Sequence, residues 1–202
     1  MDEQDIRCTA FEGSRCIASG SLMEVAGKVK AIIDRGEQAS ILIFDDLTSE
    51  LIEVDFRGAM EDVLKRLEKP AASIESATAP STPDQGAPRG PGRPRLGVVA
   101  REVTLLPRHW EWLNSQPGGA SVALRKLVEE ARRVNRGKDK VRRSQEAAYR
   151  FMSAMAGDLP GFEEATRALF AGNPGRFNDL VASWPVDIRD HARRLSEAAF
   201  QN

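Results

Sequence analysis

The chain has 202 residues, 41% of them hydrophobic and 29% charged, with a formal net charge of −1. That length suits two small domains better than one. No apolar run approaches the roughly 18 residues of a membrane span, and the acidic start "MDEQDIRC" has no apolar core segment of the kind a secretory signal needs. Two cysteines, Cys8 and Cys16, are too few for a disulfide framework, so reduced thiols and a cytoplasmic setting are expected.

The near-neutral total hides a strong asymmetry. Residues 1–70 carry 9 basic and 15 acidic side chains, and 71–88 add Glu75 and Asp84. Residues 89–143 carry 14 basic and 5 acidic side chains, a net of +9, whereas 144–202 return to −2. A block of that charge inside a neutral chain points to a polyanionic partner.

In chain order, "IRCTAF" and "SRCIAS" are β-prone runs joined by the turn dipeptide Glu12-Gly13. The two cysteines could face each other across this hairpin. Ser21 and Glu24 form a capping box, and Leu22, Val25, Ala26, Val29, Ile32 and Ile33 follow at helical spacing up to a stop at Gly36. "ASILIF" predicts a buried strand, "LIEVDF" a half-exposed one, and "AMEDVLKRL" a closing helix. Residues 5–69 therefore read as a small ββαββα domain. Residues 70–95 are rich in Pro, Ser, Ala and Gly and cannot bury enough surface to offset chain entropy, so a disordered linker is expected there.

"VVAREVTLL" predicts a single strand. Pro107 suits the first position of a helix over "RHWEWLNS", Gln116 to Gly119 break it, and Ser121 can cap a second helix with Leu124, Leu127, Val128 and Ala131 on one face. A lone strand leaves its backbone groups unpaired, and a second copy of the chain would supply the partner. Pairing with the N-terminal sheet is the competing arrangement. Through "REVTLLPRHWEWL", the "PGG" turn and "ASVALRKLVEEARR", residues 96–134 resemble the ribbon-helix-helix family of DNA-binding dimers. That resemblance implies a two-stranded ribbon in the major groove, with Ser121 and Val122 holding a phosphate at a helix N-terminus. Val103 and Leu105 make the better inward pair, which turns Glu102 and Thr104 to the groove. Glutamate can accept from cytosine N4 and threonine can touch a thymine methyl.

The stretch "RGPGRPRLG" precedes this unit. Its core Gly92-Arg93-Pro94, followed by Arg95, resembles an AT-hook, although Pro91 stands where a hook has arginine and the nearest upstream arginine is Arg89. The narrow minor groove of A·T-rich DNA concentrates negative potential that an inserted arginine exploits. A basic linker is the alternative.

Beyond the basic run come further amphipathic stripes, with Asn173-Pro174 as a cap followed by a first-turn proline. Residues 138–201 read as a C-terminal helical bundle without chemistry of its own. His109 and His191 have no Cys or His partners at metal-ligand spacing. Asp45, Asp46, Glu53 and Asp55 form the best acidic cluster, which could hold a divalent ion in a hydrolase but reads equally as an ordinary loop. No nucleotide-binding or nucleophile motif is present.

The whole chain is similar to an uncharacterised bacterial family, domain of unknown function 2239, through "AFEGSRCIASGSL", "LIFDD", "GRPRLGVVAREVTLLPRHWEWL" and "SWPVDIRDHARRL". This implies the same domain order and a bacterial cytoplasmic setting, and brings no activity. The sequence thus predicts an α+β, non-enzymatic, dimeric DNA-binding protein of regulatory or nucleoid-associated type. Its DNA-binding residues are expected among Arg89, Arg93, Arg95, Arg101, Glu102, Thr104, Ser121, Val122 and Arg125. No cofactor, metal or membrane is expected, and the N-terminal domain is left to an unknown effector or protein partner. The alternative is a protein- or RNA-interaction adaptor without sequence readout.

Overall fold

The computed structural model describes residues 6–36, 40–68, 99 and 101–201. The fold is mixed α+β, with a three-stranded antiparallel sheet and seven α-helices among the described residues. The expected linker, 70–95, lies outside them. The chain forms two compact units, one of Met1–Ala72 with Asn135–Asn202 and the other of Ser73–Val134.

In the first unit, β1 (Arg7–Glu12) and β2 (Arg15–Ser21) make the expected hairpin. Strand β3 (Ile41–Asp45) pairs with the other edge of β1, so the order is β2-β1-β3. Helix α1 (Leu22–Asp34) starts at the capping box: Ser21 Oγ accepts from the Glu24 N–H at 3.4 Å while the Glu24 carboxylate accepts from the Ser21 N–H at 3.0 Å. Gly36, at φ 81°, closes it by donating its N–H to the Ile33 carbonyl.

The strand period then sorts the side chains onto two faces. Cys8 and Ala10 of β1 and Ile41 and Ile43 of β3 cluster with Val25 and Val29 of α1. Phe11, Leu42 and Phe44 point the other way, into a second cluster built by the C-terminal helices. Burial on both faces explains why β3 reads as an unbroken apolar run.

The expected fourth strand does not form. An isolated bridge from Phe44 to Leu51 and an N–H bond from Ile52 to Ile43 begin a ladder that goes no further. Ile52, Val54 and Phe56 keep their alternation by packing against the α1-side cluster. The Asp55 carbonyl, however, accepts from the Arg66 guanidinium at 2.7 Å instead of from a neighbouring strand. Helix α2 (Met60–Glu68) follows.

Helix α3 (Pro107–Ser115) begins with its proline at the first position, as expected. Helix α4 runs unbroken over Gly119–Ala156 and joins what the sequence separates: the second helix of the strand-helix-helix unit, the basic run and the first C-terminal helix. No proline interrupts it, and Glu129–Arg132, Glu130–Arg133 and Asp139–Arg142 pair along it at one-turn spacing. Its residues from Asn135 onward belong to the first unit. Helices α5 (Phe162–Phe170), α6 (Pro174–Val181) and α7 (Val186–Ser196) complete that unit, with Asn173 capping α6 through the Arg176 N–H.

The segments expected as separate domains, 5–69 and 138–201, share one core. Phe11 of β1 lies 5.3 Å, centroid to centroid, from Phe151 of α4, and Phe44 lies 5.2 Å from the same ring. Neither a three-stranded sheet nor the short helices α5 to α7 could bury both of their apolar faces alone. Phe151→Ala should therefore cost about 3–5 kcal/mol, the usual range for emptying a buried ring site. Sheet and helices should be lost together. In a Cys16→Ser background, the buried Cys8 thiol should become reactive at the denaturant concentration where helical circular dichroism falls. Labelling of Cys8 well before that point would show two independent domains.

Candidate nucleic-acid interface

The second unit is built from little. Of the large side chains around α3 and the start of α4, only Leu113 is buried, with Ala123 beside it among the smaller ones. Leu105, His109, Trp112, Leu113, Leu124 and Leu127 surround a cavity of about 280 Å³. Val103 remains 55% exposed and Val128 54%, and Leu106, Trp112, Leu127 and Val134 are also open to solvent. This is a large apolar surface for so small a unit.

Residues 101–106, expected as a strand, carry neither strand nor helix, and among the described residues 101–105 make no backbone hydrogen bond. A strand exists only where a second one supplies its ladder. Within this chain no described segment does so; among the described residues the sheet has the order β2-β1-β3. Arg101, Glu102 and Thr104 are all exposed on this segment, whereas Leu105 turns to the helices.

Ser121 does not cap α4. Gly118 and Gly119 have φ of 88° and 75°, and regular helical backbone starts only after them. Glycine is favoured there because a Cβ is strained at those angles. Ser121 and Val122 therefore lie in the first turn, which holds no acidic residue, and the Ser121 N–H is among the free ones at the positive end of the helix. Arg125, one turn on, donates its Nε to the Ser121 carbonyl at 3.1 Å. The structure thus brings Ser121, Val122 and Arg125 together. Arg89, Arg93 and Arg95 lie outside the described residues.

Between Arg125 and Arg143, α4 carries nine cationic and three acidic side chains. The three acids are held by Arg132, Arg133 and Arg142. Arg125, Lys126, Arg136, Lys138, Lys140 and Arg143 have no ion-pair partner among the described residues, so their charge is available to an external anion.

The acidic side chains Asp45 and Asp55 are engaged by groups of their own loops. Asp45 Oδ1 accepts from the Leu47 and Thr48 N–H groups and the Thr48 hydroxyl, which makes it a loop cap. Asp55 holds Arg57, whose guanidinium keeps its carboxyl well below the usual carboxylate range. No group of three metal-ligating side chains occurs among the described residues. The cysteines do not face each other: Cys8 pairs with Gly20 and Cys16 with Phe11, and both thiols are free. Burial pushes the Cys8 thiol up to about 11, with Asp46 and Asp45 adding to the shift.

One cluster in the first unit has no local signal in the sequence. Thr9 donates its hydroxyl to Asp46 Oδ1 at 2.6 Å, and the Arg194 guanidinium reaches Asp46 at 3.4 Å and His191 Nδ1 at 2.9 Å. His191 is packed between Phe11 and Phe151, and its Nε2 finds no partner among the described residues. The inward position of Thr9 within "RCTAF" is the only hint of this network, because its members come from opposite ends of the chain.

A family model described as an uncharacterized protein conserved in bacteria (DUF2239) matches residues 7–196. No curated protein and no solved structure matches the chain. Among the described residues no helix is long and apolar enough to cross a membrane.

Burial, with Arg194 adding to it, pushes His191 down to about 4 against the weaker opposing pull of Asp46. Its folded pKa then lies below the unfolded value of about 6.5. The unfolded chain binds the extra proton, so stability is complete above pH 6.5 and falls as pH drops towards 4. Between pH 6.5 and 5 the wild type should lose about 1–2 kcal/mol in urea unfolding. His191→Phe should be nearly flat over that window, and an equal slope in both proteins would remove His191 as the cause.

Proposed function

The chain belongs to the DUF2239 family, and for it we propose a dimeric DNA-binding protein of regulatory or nucleoid-associated type that binds through the basic segment 89–143. The observation that carries this reading is the exposed apolar surface of 101–134 together with Arg125 and Lys126, which have no ion-pair partner among the described residues. Exposed apolar surface of this kind is what a partner covers. A second copy of 101–106, paired antiparallel, supplies both the missing ladder and a cover for Val103. Leu105 already faces the helices, so the strand period puts Val103 on the inner side with it and Glu102 and Thr104 on the outer side.

Phosphate contacts then come from Arg101, from Ser121 and Val122 at the start of α4, and from Arg125 and the unpaired cations beyond it. Arg89, Arg93 and Arg95 act as a minor-groove arm ahead of the ribbon, and a preference for A·T-rich duplexes follows from the deeper negative potential there.

Sedimentation should give a dimer for the wild type at tens of micromolar, a range set by the dependence of dimer stability on protomer concentration. Val103→Asp should shift it to monomer by placing a charge in the shared core. Fluorescence anisotropy with duplex DNA should show log affinity falling linearly with log salt. Arg125→Ala with Lys126→Ala should flatten that slope by about one unit for each phosphate they no longer neutralise. A wild-type monomer, or a duplex affinity that ignores both salt and these substitutions, overturns the proposal. Tighter binding of single-stranded RNA than of duplex DNA would turn it to the adaptor reading.

A further inference from the structure

The first unit contains a cavity of about 590 Å³, and its lining is unusual in charge. Arg7 at the start of β1, Arg136, Lys140 and Arg143 on α4, and Arg194 on α7 all border it. The single carboxylate on its wall, Asp46, is already engaged by the Thr9 hydroxyl and by Arg194. Five cations thus meet around one space with one compensated acid.

The α4 cations are placed by helix geometry. Arg136, Lys140 and Arg143 recur at steps of four and three, which puts them on one face with Ala147. Like charges at this spacing repel each other by a few tenths of a kcal/mol per pair. The acids of the same helix that could relieve them pair elsewhere, as Asp139 does with Arg142. Arg7 and Arg136 make no side-chain hydrogen bond or ion pair among the described residues. Lys140 reaches only the neutral amide of Gln201, and Arg143 commits its Nε to the Asp139 carbonyl, leaving its terminal nitrogens. The donors are therefore present and uncommitted.

The interior is apolar. Leu47, Ala147, Leu195 and Ala198 line it, and Ser144 contributes a hydroxyl that is already used: it donates to the Leu195 carbonyl at 2.6 Å and accepts from the Ala199 N–H at 2.9 Å. That doubly bonded serine ties α4 to the end of α7 and holds the wall in place. Small residues at 144, 147 and 198 keep the space open. The volume falls within the range of small-molecule sites, roughly 300–1,000 Å³, and is too small for a duplex.

From this combination we infer that the cavity binds a small, multiply charged phosphate ester with a compact apolar or aromatic body, of the nucleoside polyphosphate class. Arginine forks match phosphate oxygens in pairs, a cluster of cations calls for several negative charges, and the apolar lining takes the body. Arg136, Lys140 and Arg143 also belong to the segment proposed for DNA, whereas Arg7 and Arg194 lie outside it, so an Arg7 variant reads this site alone.

The test is calorimetric titration of the full chain with ATP, pyrophosphate and adenosine, free of divalent ions. ATP should bind saturably at one site per chain, pyrophosphate more weakly, and adenosine not at all. Arg7→Ala and Arg136→Ala, both exposed positions whose loss should leave the melting temperature unchanged, should each weaken ATP by about tenfold or more, the usual effect of one charged hydrogen bond. Lys140→Gln provides a third variant should either fail to fold. Arg7→Ala should leave duplex DNA affinity unaltered, which separates this site from the DNA interface. No saturable binding of ATP, ATP affinity unchanged in folded variants, or pyrophosphate binding as tightly as ATP would each overturn the inference.

Discussion

Everything else in this chain depends on the docking of a small sheet, through its second face, onto helices from the opposite end of the sequence. Phe11 and Phe44 leave the sheet on the side away from α1 and meet Phe151 and His191. Aromatic side chains bury the largest area per residue and pack edge to face, and this contact joins the sheet to the core that the C-terminal helices build. It is also selective. A strand buried on both faces must find a second layer, and only the C-terminal helices supply one.

The consequence is a division of labour along the chain. The two ends close on each other as one unit, and residues 73–134 form a second unit between them in sequence. The first unit has a complete hydrophobic core. Among the described residues of the second, few are buried, and it holds exposed valines, leucines and tryptophans together with cations. Unsatisfied apolar area and uncompensated charge are what a partner can remove, which is why the DNA surface is proposed in the second unit and along the α4 cations that follow it in sequence.

Local signals were legible in the sequence because local physics decides them. The capping box at Ser21 and Glu24, Pro107 at a helix start and Asn173 before Pro174 all behave as their chemistry requires. What was not legible depended on distant partners. "LIEVDF" alternates as a strand does, but Arg66 takes a carbonyl that a ladder would need. "REVTLL" has strand composition and no strand beside it in the single chain. The basic run 132–143 looks like a break between domains, yet the acids spaced one turn from their arginines let the helix continue through it.

The candidate site followed the same rule. Ser121, Val122 and Arg125 could be grouped from sequence because they share one turn of helix, although the capping role expected of Ser121 gave way to the two left-handed glycines before it. The Thr9, Asp46, Arg194 and His191 network could not be foreseen, since it exists only once the ends have met.

The central proposal is that duplex DNA is met through the basic segment 89–143 and not through the sheet of the first unit. Amide hydrogen exchange of the full chain, with and without a short duplex DNA, addresses it directly. The account predicts new protection over 101–106 and the first turns of α4, with the amides of β1, β2 and β3 unchanged because their opening requires unfolding of the whole unit. Protection gained in the sheet while 101–134 exchanges as before would contradict it.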